Sequence, residues 1–195
     1  MNDAALPPVP DDVREAARLA PDHWLGMVDP GWRGEGAPPR WALVGEWRSA
    51  PDGEVAEWQA NDEYRPSPQA LGWPAPTDPV DEAVQLAVTG YGRWEDAVRA
   101  LAAAEVSVLH APDGEPLLPA GPDGRPTVPV FTAEPHQPFA GVLTHRSLPA
   151  ADLARSLAAE GALLAVNPAG PARLTVPAQD VVSAAPVPSN PGASS

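Results

Sequence analysis

The chain has 195 residues, no cysteine and a formal charge of −14. Disulfides, thiolate metal sites and cysteine nucleophiles are thereby excluded, and so acidic a surface suits neither nucleic acid nor an anionic membrane. The charge is even: residues 1–75 and 76–195 each carry thirteen acids and six arginines, −7 apiece, so neither part offers a basic face.

In chain order, the first ten residues are Pro-rich. Asp12 and Glu15 then have the spacing of a capping box, and Val13, Ala16, Ala17 and Ala20 share one face of a short helix that Pro21 stops. Residues 24–73 hold six of the seven tryptophans. Within them "WLGMV" (24–28) reads as a strand. "WALVGEWR" (41–48) alternates, with Trp41, Leu43 and Trp47 on one face, and "PDG" (51–53) turns it into the return strand "EVAEW" (54–58). The prolines of "RPSPQALGWPAPTDP" predict an ordered loop.

Asp78 as N-cap and Pro79 at the first helical position open a helix with Val80, Ala83, Val84, Ala87 and Val88 on its stripe, ended by Gly90. A second helix repeats the stripe with Trp94, Ala97, Val98, Leu101 and Ala102. Strands are expected at 105–111, 115–120 and 127–133 as a meander through two Pro-Asp-Gly turns, and another at 141–148. A helix over 150–160 ends at Gly161, and strands at 162–168 and 172–177 flank an "NPAG" turn. From Pro186 the Pro/Ser/Gly composition predicts disorder. The fold class is α+β: a Trp-rich antiparallel hairpin or sheet, a helix pair, then a second α+β part. The expected divisions are a Pro-rich start with a short helix (1–21), a Trp-rich β region with a helix (22–90), an α+β domain (91–182) and a tail (183–195).

Signals for chemistry are thin. "GWRGEG" and "GYG" lack the strand–loop–helix setting of a phosphate loop. The four histidines have no metal-ligand spacing, so no metal and no cofactor is expected. His110 and His145 fall on predicted strands and could meet across a sheet. Thr132 in "TVPVFTAEP", with Glu134 nearby, is the best exposed hydroxyl, and its bland role is to cap a turn. Pro129 places that strand at a sheet edge or bulge, where a partner strand could add. The tryptophans either build a small core or form a stacking platform. Trp32 and Trp73, in loops, are expected to be the exposed ones. No catalytic residue is assigned. The candidate interaction surface is Trp32, Trp73, Pro129, Phe131 and Thr132.

"VPVFTAEP" (128–135), a strand, a helix and then "LLAVNPAGP" (163–171) resemble the pattern of the SseB-like domain over roughly 91–182, although Ala133 stands where a serine is common. Upstream, "DHWLGMVDPGW", "WALVGEWRS", "NDEYRPSPQALGWP" and "PTDPVDEAVQLAVTGYG" are similar to actinobacterial type VII secretion system-associated proteins. The exclusive use of arginine, with 28 prolines and abundant alanine, suits a high-GC genome of that kind. The resemblance implies a non-enzymatic accessory acting through a protein partner, with a type VII secretion component as the candidate. Trp24-Leu25-Gly26 and Tyr91…Glu95 match export patterns of secretion substrates, but the first falls in a predicted strand and the second lies mid-chain. The alternatives are a Trp platform for a glycan or Pro-rich peptide and, third, a small hydrolase or transferase. The start "MNDAALPPVPDD" lacks a signal peptide's basic and apolar regions, and no apolar run is long enough to span a membrane. A cytoplasmic protein with no membrane insertion is expected.

Overall fold

The structure, a computed structural model, describes residues 7–111, 114, 116–117, 119–121, 123–138 and 144–186. The expected disorder of the tail, and the expected strand starts at 115 and 141, fall on or against residues outside that set. The chain divides into two compact units, residues 1–74 and 75–195.

In the first unit, helix α1 (Asp11–Leu19) packs on an antiparallel sheet of β1 (Trp24–Val28), β2 (Leu43–Ser49) and β3 (Val55–Ala60), in that order. The alternation of β2 puts Gly45, Trp47 and Ser49 inside and turns Arg48 out. Trp58 on β3 lies opposite Trp47, with ring centroids 4.5 Å apart, so the paired indoles form the core of this small sheet. Trp41 is not on the strand: it sits in a 3₁₀ turn (Arg40–Ala42), where Ala42 is the buried residue and Trp41 meets Trp32 edge-on. Trp24-Leu25-Gly26 lies within β1, not in a turn between helices.

The second unit has helices α2 (Pro79–Thr89), α3 (Trp94–Ala102), α4 (Ala150–Leu157) and α5 (Ala178–Ala184). Its sheet is formed by β4 (Glu105–His110), β5 (Thr127–Phe131), β6 (Thr144–Pro149), β7 (Leu163–Val166) and β8 (Leu174–Pro177), in the order β6-β4-β5-β7-β8. One face is a continuous apolar layer. Val108, Val130, Val166 and Leu174 lie in register across four strands, and Val128, Leu164 and Val176 form the next row. Leu101, Leu153, Leu157 and Val181 of the helices are buried with them. The class is α+β, as the sequence predicts.

The meander expectation needs correction. β5 and β7 run parallel, and the chain between them travels out to β6 at the far edge and returns through α4. Residues of the expected 115–120 strand make only isolated bridges, His110 to Pro116 and Ala120 to Pro126. Pro129 is also corrected: β5 is the central strand, not an edge. By strand alternation its nitrogen points toward β4, where it has no proton to give. The β4–β5 pairing covers only Ser107–Phe131 and Val108–Val130, and the Leu109 carbonyl, next in register, accepts from the Leu117 N–H at 2.9 Å. A loop donor thus replaces the ladder bond that proline cannot make. The stripe of α2 is rotated from the expected one: Val80, Asp81, Val84 and Gln85 are buried while Val88 is 39 % exposed. Two polar residues on the inward face, Asp81 and Gln85, pull it round.

Candidate functional site

The start of α2 carries a polar cluster of Thr77, Asp78, Asp81, Gln85, Thr132, His136 and Asn167. Asp78 caps the helix: its Oδ1 accepts from the N–H groups of Val80 and Asp81 at 2.8 and 3.0 Å, satisfying donors that a helix start leaves free. Asp81 reaches back to the Thr77 N–H at 3.0 Å, a reciprocal arrangement akin to a capping box, and Gln85 donates to it from one turn on. Asp81 and Gln85 are therefore buried with partners, which is why the helix turns that face inward.

The other oxygen of Asp78 looks toward the sheet. Thr132, just beyond β5, donates its hydroxyl to Oδ2 at 2.6 Å, and Thr77 donates to the same atom at 2.9 Å. Thr132 is held in turn by Asn167, just beyond β7: Asn167 Nδ2 donates to Thr132 Oγ1 at 2.8 Å, and the Thr132 N–H donates to Asn167 Oδ1 at 3.0 Å. His136 closes the far side, with Nε2 at 2.9 Å from Thr77 Oγ1 and 3.4 Å from Asp81 Oδ2. Since the Thr77 proton goes to Asp78, the network assigns the His136 Nε2 proton as the one donated to Thr77.

Burial acts to raise the pKa of Asp78, but the donations from Thr132, the Asp81 N–H, Thr77 and the Val80 N–H together outweigh it, so the carboxyl sits below its ordinary value. An ionised carboxylate with four donors on it is a weak base, and the Thr132 hydroxyl has both given its proton and accepted one. Neither group is activated toward a substrate. A groove of about 420 Å³ beside them, between α2 and α3, is lined by Pro79, Val80, Ala100, Ala103 and Ala104 together with Asp78 and Thr132.

The first unit has a smaller counterpart. Asp29, 2 % exposed, accepts from the Gly31 N–H at 2.6 Å, the Tyr64 hydroxyl at 2.7 Å and the Ser67 N–H at 3.0 Å. Burial again opposes ionisation, and the donations from the Ser67 side chain, Tyr64 and the Ser67 and Gly31 amides overcome it, so this pKa too is lowered. Gly31 leaves no room for a side chain: a Cβ there would stand 2.4 Å from Ser67.

Of the residues expected to form an interaction surface, Thr132 belongs to the cluster, and Phe131 is 2 % exposed, inside the protein. Pro129 is half-buried in the central strand. Trp32 and Trp73 are half-buried as well; the exposed tryptophans are Trp24 at 41 % and Trp94 at 39 %. Glu134, the acid expected beside Thr132, is exposed at the start of a 3₁₀ turn. His110 and His145 do not meet, because the register pairs His145 with Leu109 and so sets the two rings on opposite faces. Asp78 was legible as a cap but not as the partner of Thr132. Asn167 was legible only as turn chemistry.

Fold and site together define an α+β domain in which a parallel strand pair ends on a self-contained polar cluster. The model of the SseB protein N-terminal domain matches residues 80–183, and the chain belongs to that family. Neither the curated proteins nor the solved structures compared with the chain give a match.

Proposed function

We propose that this is a non-enzymatic accessory of type VII secretion, acting in the cytoplasm of an actinobacterial cell by binding another protein. The observation that carries the non-enzymatic part is the closure of the cluster around Asp78. Its carboxylate and the two hydroxyls of Thr77 and Thr132 are consumed by one another, which is what a structural clasp needs and a catalytic pair does not. Membership of the SseB family fits an accessory role in a general sense. The link to secretion rests on the resemblance upstream. Two of the motifs that carry it, "DHWLGMVDPGW" and "NDEYRPSPQALGWP", meet at Asp29 through Tyr64 and Ser67. A charge of −14 favours a basic partner surface.

The test is affinity capture from the cytoplasm of the native host at low salt, read by mass spectrometry. Enrichment of a secretion ATPase, membrane-core components or small helical substrates is the expected result. Capture of unrelated metabolic proteins alone, or of nothing, overturns the reading. The stacking-platform alternative has one observation behind it: Trp24 is exposed on an edge strand, with the Arg48 guanidinium 5.8 Å from its ring.

A further inference from the structure

Helices α3 and α5 border a groove of about 370 Å³, walled by Trp94, Glu95, Val98 and Arg99 on one side and Asp180, Ser183 and Ala184 on the other, with Trp94, Val98 and Ala184 supplying its apolar surface. Trp94 opens the apolar stripe of α3 yet is 39 % exposed, so a large part of its indole lies uncovered. Such a surface takes flat, apolar partners that need little ordering.

The next residues of the chain have that chemistry. Ala184, the last residue of α5, is itself part of the wall, and Ala185 leaves the helix at φ −64°, ψ 140°. Those angles lie in the polyproline II basin. The sequence then runs P-V-P-S-N-P over 186–191, of which 187 onward lies outside the described residues. Each proline fixes its own φ and pushes the residue before it toward the extended region. A polyproline II segment is therefore low in ordering cost, and aromatic-lined grooves are the surfaces that recognise it.

We propose that the groove between α3 and α5 is the docking site of the chain's own Pro-rich tail, residues 187–191, with Pro188 and Pro191 laid on Trp94, while Pro186, itself exposed, turns the chain toward it. Because Pro186 begins two residues beyond a wall residue of the groove, the tail is tethered at an effective concentration of roughly millimolar, enough to occupy a site whose free affinity is weak. Any other Pro-rich segment has to displace it. This proposal does not depend on the identity of a protein partner.

The test compares three chains by ¹⁵N NMR: the full chain, a chain ending at Ala185, and the full chain with Pro186→Ser and Pro188→Ser. The Trp94 indole N–H is assigned by its loss in Trp94→Phe. The resonances read are that indole and the Val98 amide, both far in sequence from every change made. Both are expected to shift together in the truncated and doubly substituted chains, with the rest of the spectrum in place. A peptide of residues 185–195, added to the truncated chain at about millimolar concentration, is expected to return them. Identical Trp94 and Val98 resonances in all three chains overturn the proposal. A shift in the full chain that grows with protein concentration also overturns it, since the occupant is then a second copy's tail.

Discussion

Thr132 and Asn167, 35 positions apart, hold each other through two hydrogen bonds, one from the Thr132 N–H and one to its hydroxyl oxygen. Each stands just past the end of one of the two parallel strands, so the pair ties β5 to β7 where their ladder stops. Asn167 does this at φ 43°, a left-handed conformation that asparagine tolerates better than most residues, and it is 2 % exposed. The Thr132 proton passes the tie on to Asp78 and hence to the start of α2. Strand ends and helix start are one clasp.

Cutting that clasp costs more than one hydrogen bond. Thr132→Val keeps the shape but leaves Asn167 Nδ2 without its acceptor and Asp78 one donor short. The expected loss is about 1–3 kcal/mol in urea unfolding, with Thr132→Ser much closer to the parent. Thr132→Val combined with Asn167→Ala is expected to cost less than the two changes summed, because the second removes a group the first had orphaned. Strict additivity would show that the two side chains do not act as a unit.

Acid is expected to loosen both units. Asp78 and Asp29 each have a folded pKa below the ordinary 3.8. A carboxyl of that kind stabilises the fold fully above its unfolded value, and the contribution disappears as pH falls through that value toward the folded one. Urea midpoints should therefore drop as pH falls below about 4, and Asp29→Asn and Asp78→Asn, though less stable at neutral pH, should show a shallower decline. Equal pH slopes in parent and variants would remove these two groups as the cause.

Gly45 is set by the indole above it. A Cβ at this position would stand 2.4 Å from the Trp58 ring and 2.5 Å from the Gln59 carbonyl. Gly45→Ala is therefore expected to push Trp58 off Trp47 and cost about 1–3 kcal/mol, as overpacking does. Near-ultraviolet circular dichroism reads the indole pair directly. An unchanged spectrum with unchanged stability would mean that the ring has room to move aside.

Local chemistry was legible where a residue acts on its own neighbours. The Asp78 cap, the Pro-Asp-Gly hairpin turn of the first unit and the Gly161 stop all follow from side chains within four residues. What was not legible depends on residues brought together by topology. Pro129 reads as an edge residue because proline lacks a donor, and only the structure reveals Leu117 supplying one in its place. Helix α5 was missed because "AQDVVSAA" is short and has a weak stripe; it is helical because Ala178 and Val181 are buried. The motifs around Thr132 and Asn167 stood out in the sequence, but that they meet each other follows from the parallel pairing of β5 with β7, and that Thr132 then reaches Asp78 follows from the packing of α2, neither of which a local pattern encodes.

Phe131 decides whether "TVPVFTAEP" is scaffold or surface. It is 2 % exposed, lies opposite Ser107 on β4, and meets the His145 ring edge-on at 5.9 Å, while Ser107 Oγ lies 3.3 Å from His145 Nδ1. Removing the ring leaves a cavity on the reverse face of the central strand, so Phe131→Ala is expected to cost about 3–5 kcal/mol. Phe131→Leu keeps most of the volume and is expected to cost less than about 1.5 kcal/mol. If the residue is scaffold, the leucine variant captures whatever proteins the parent captures from a host lysate under the proposed function, and the alanine variant loses them only in proportion to the fraction unfolded. A leucine variant that is folded but captures nothing would place Phe131 in the interface after all.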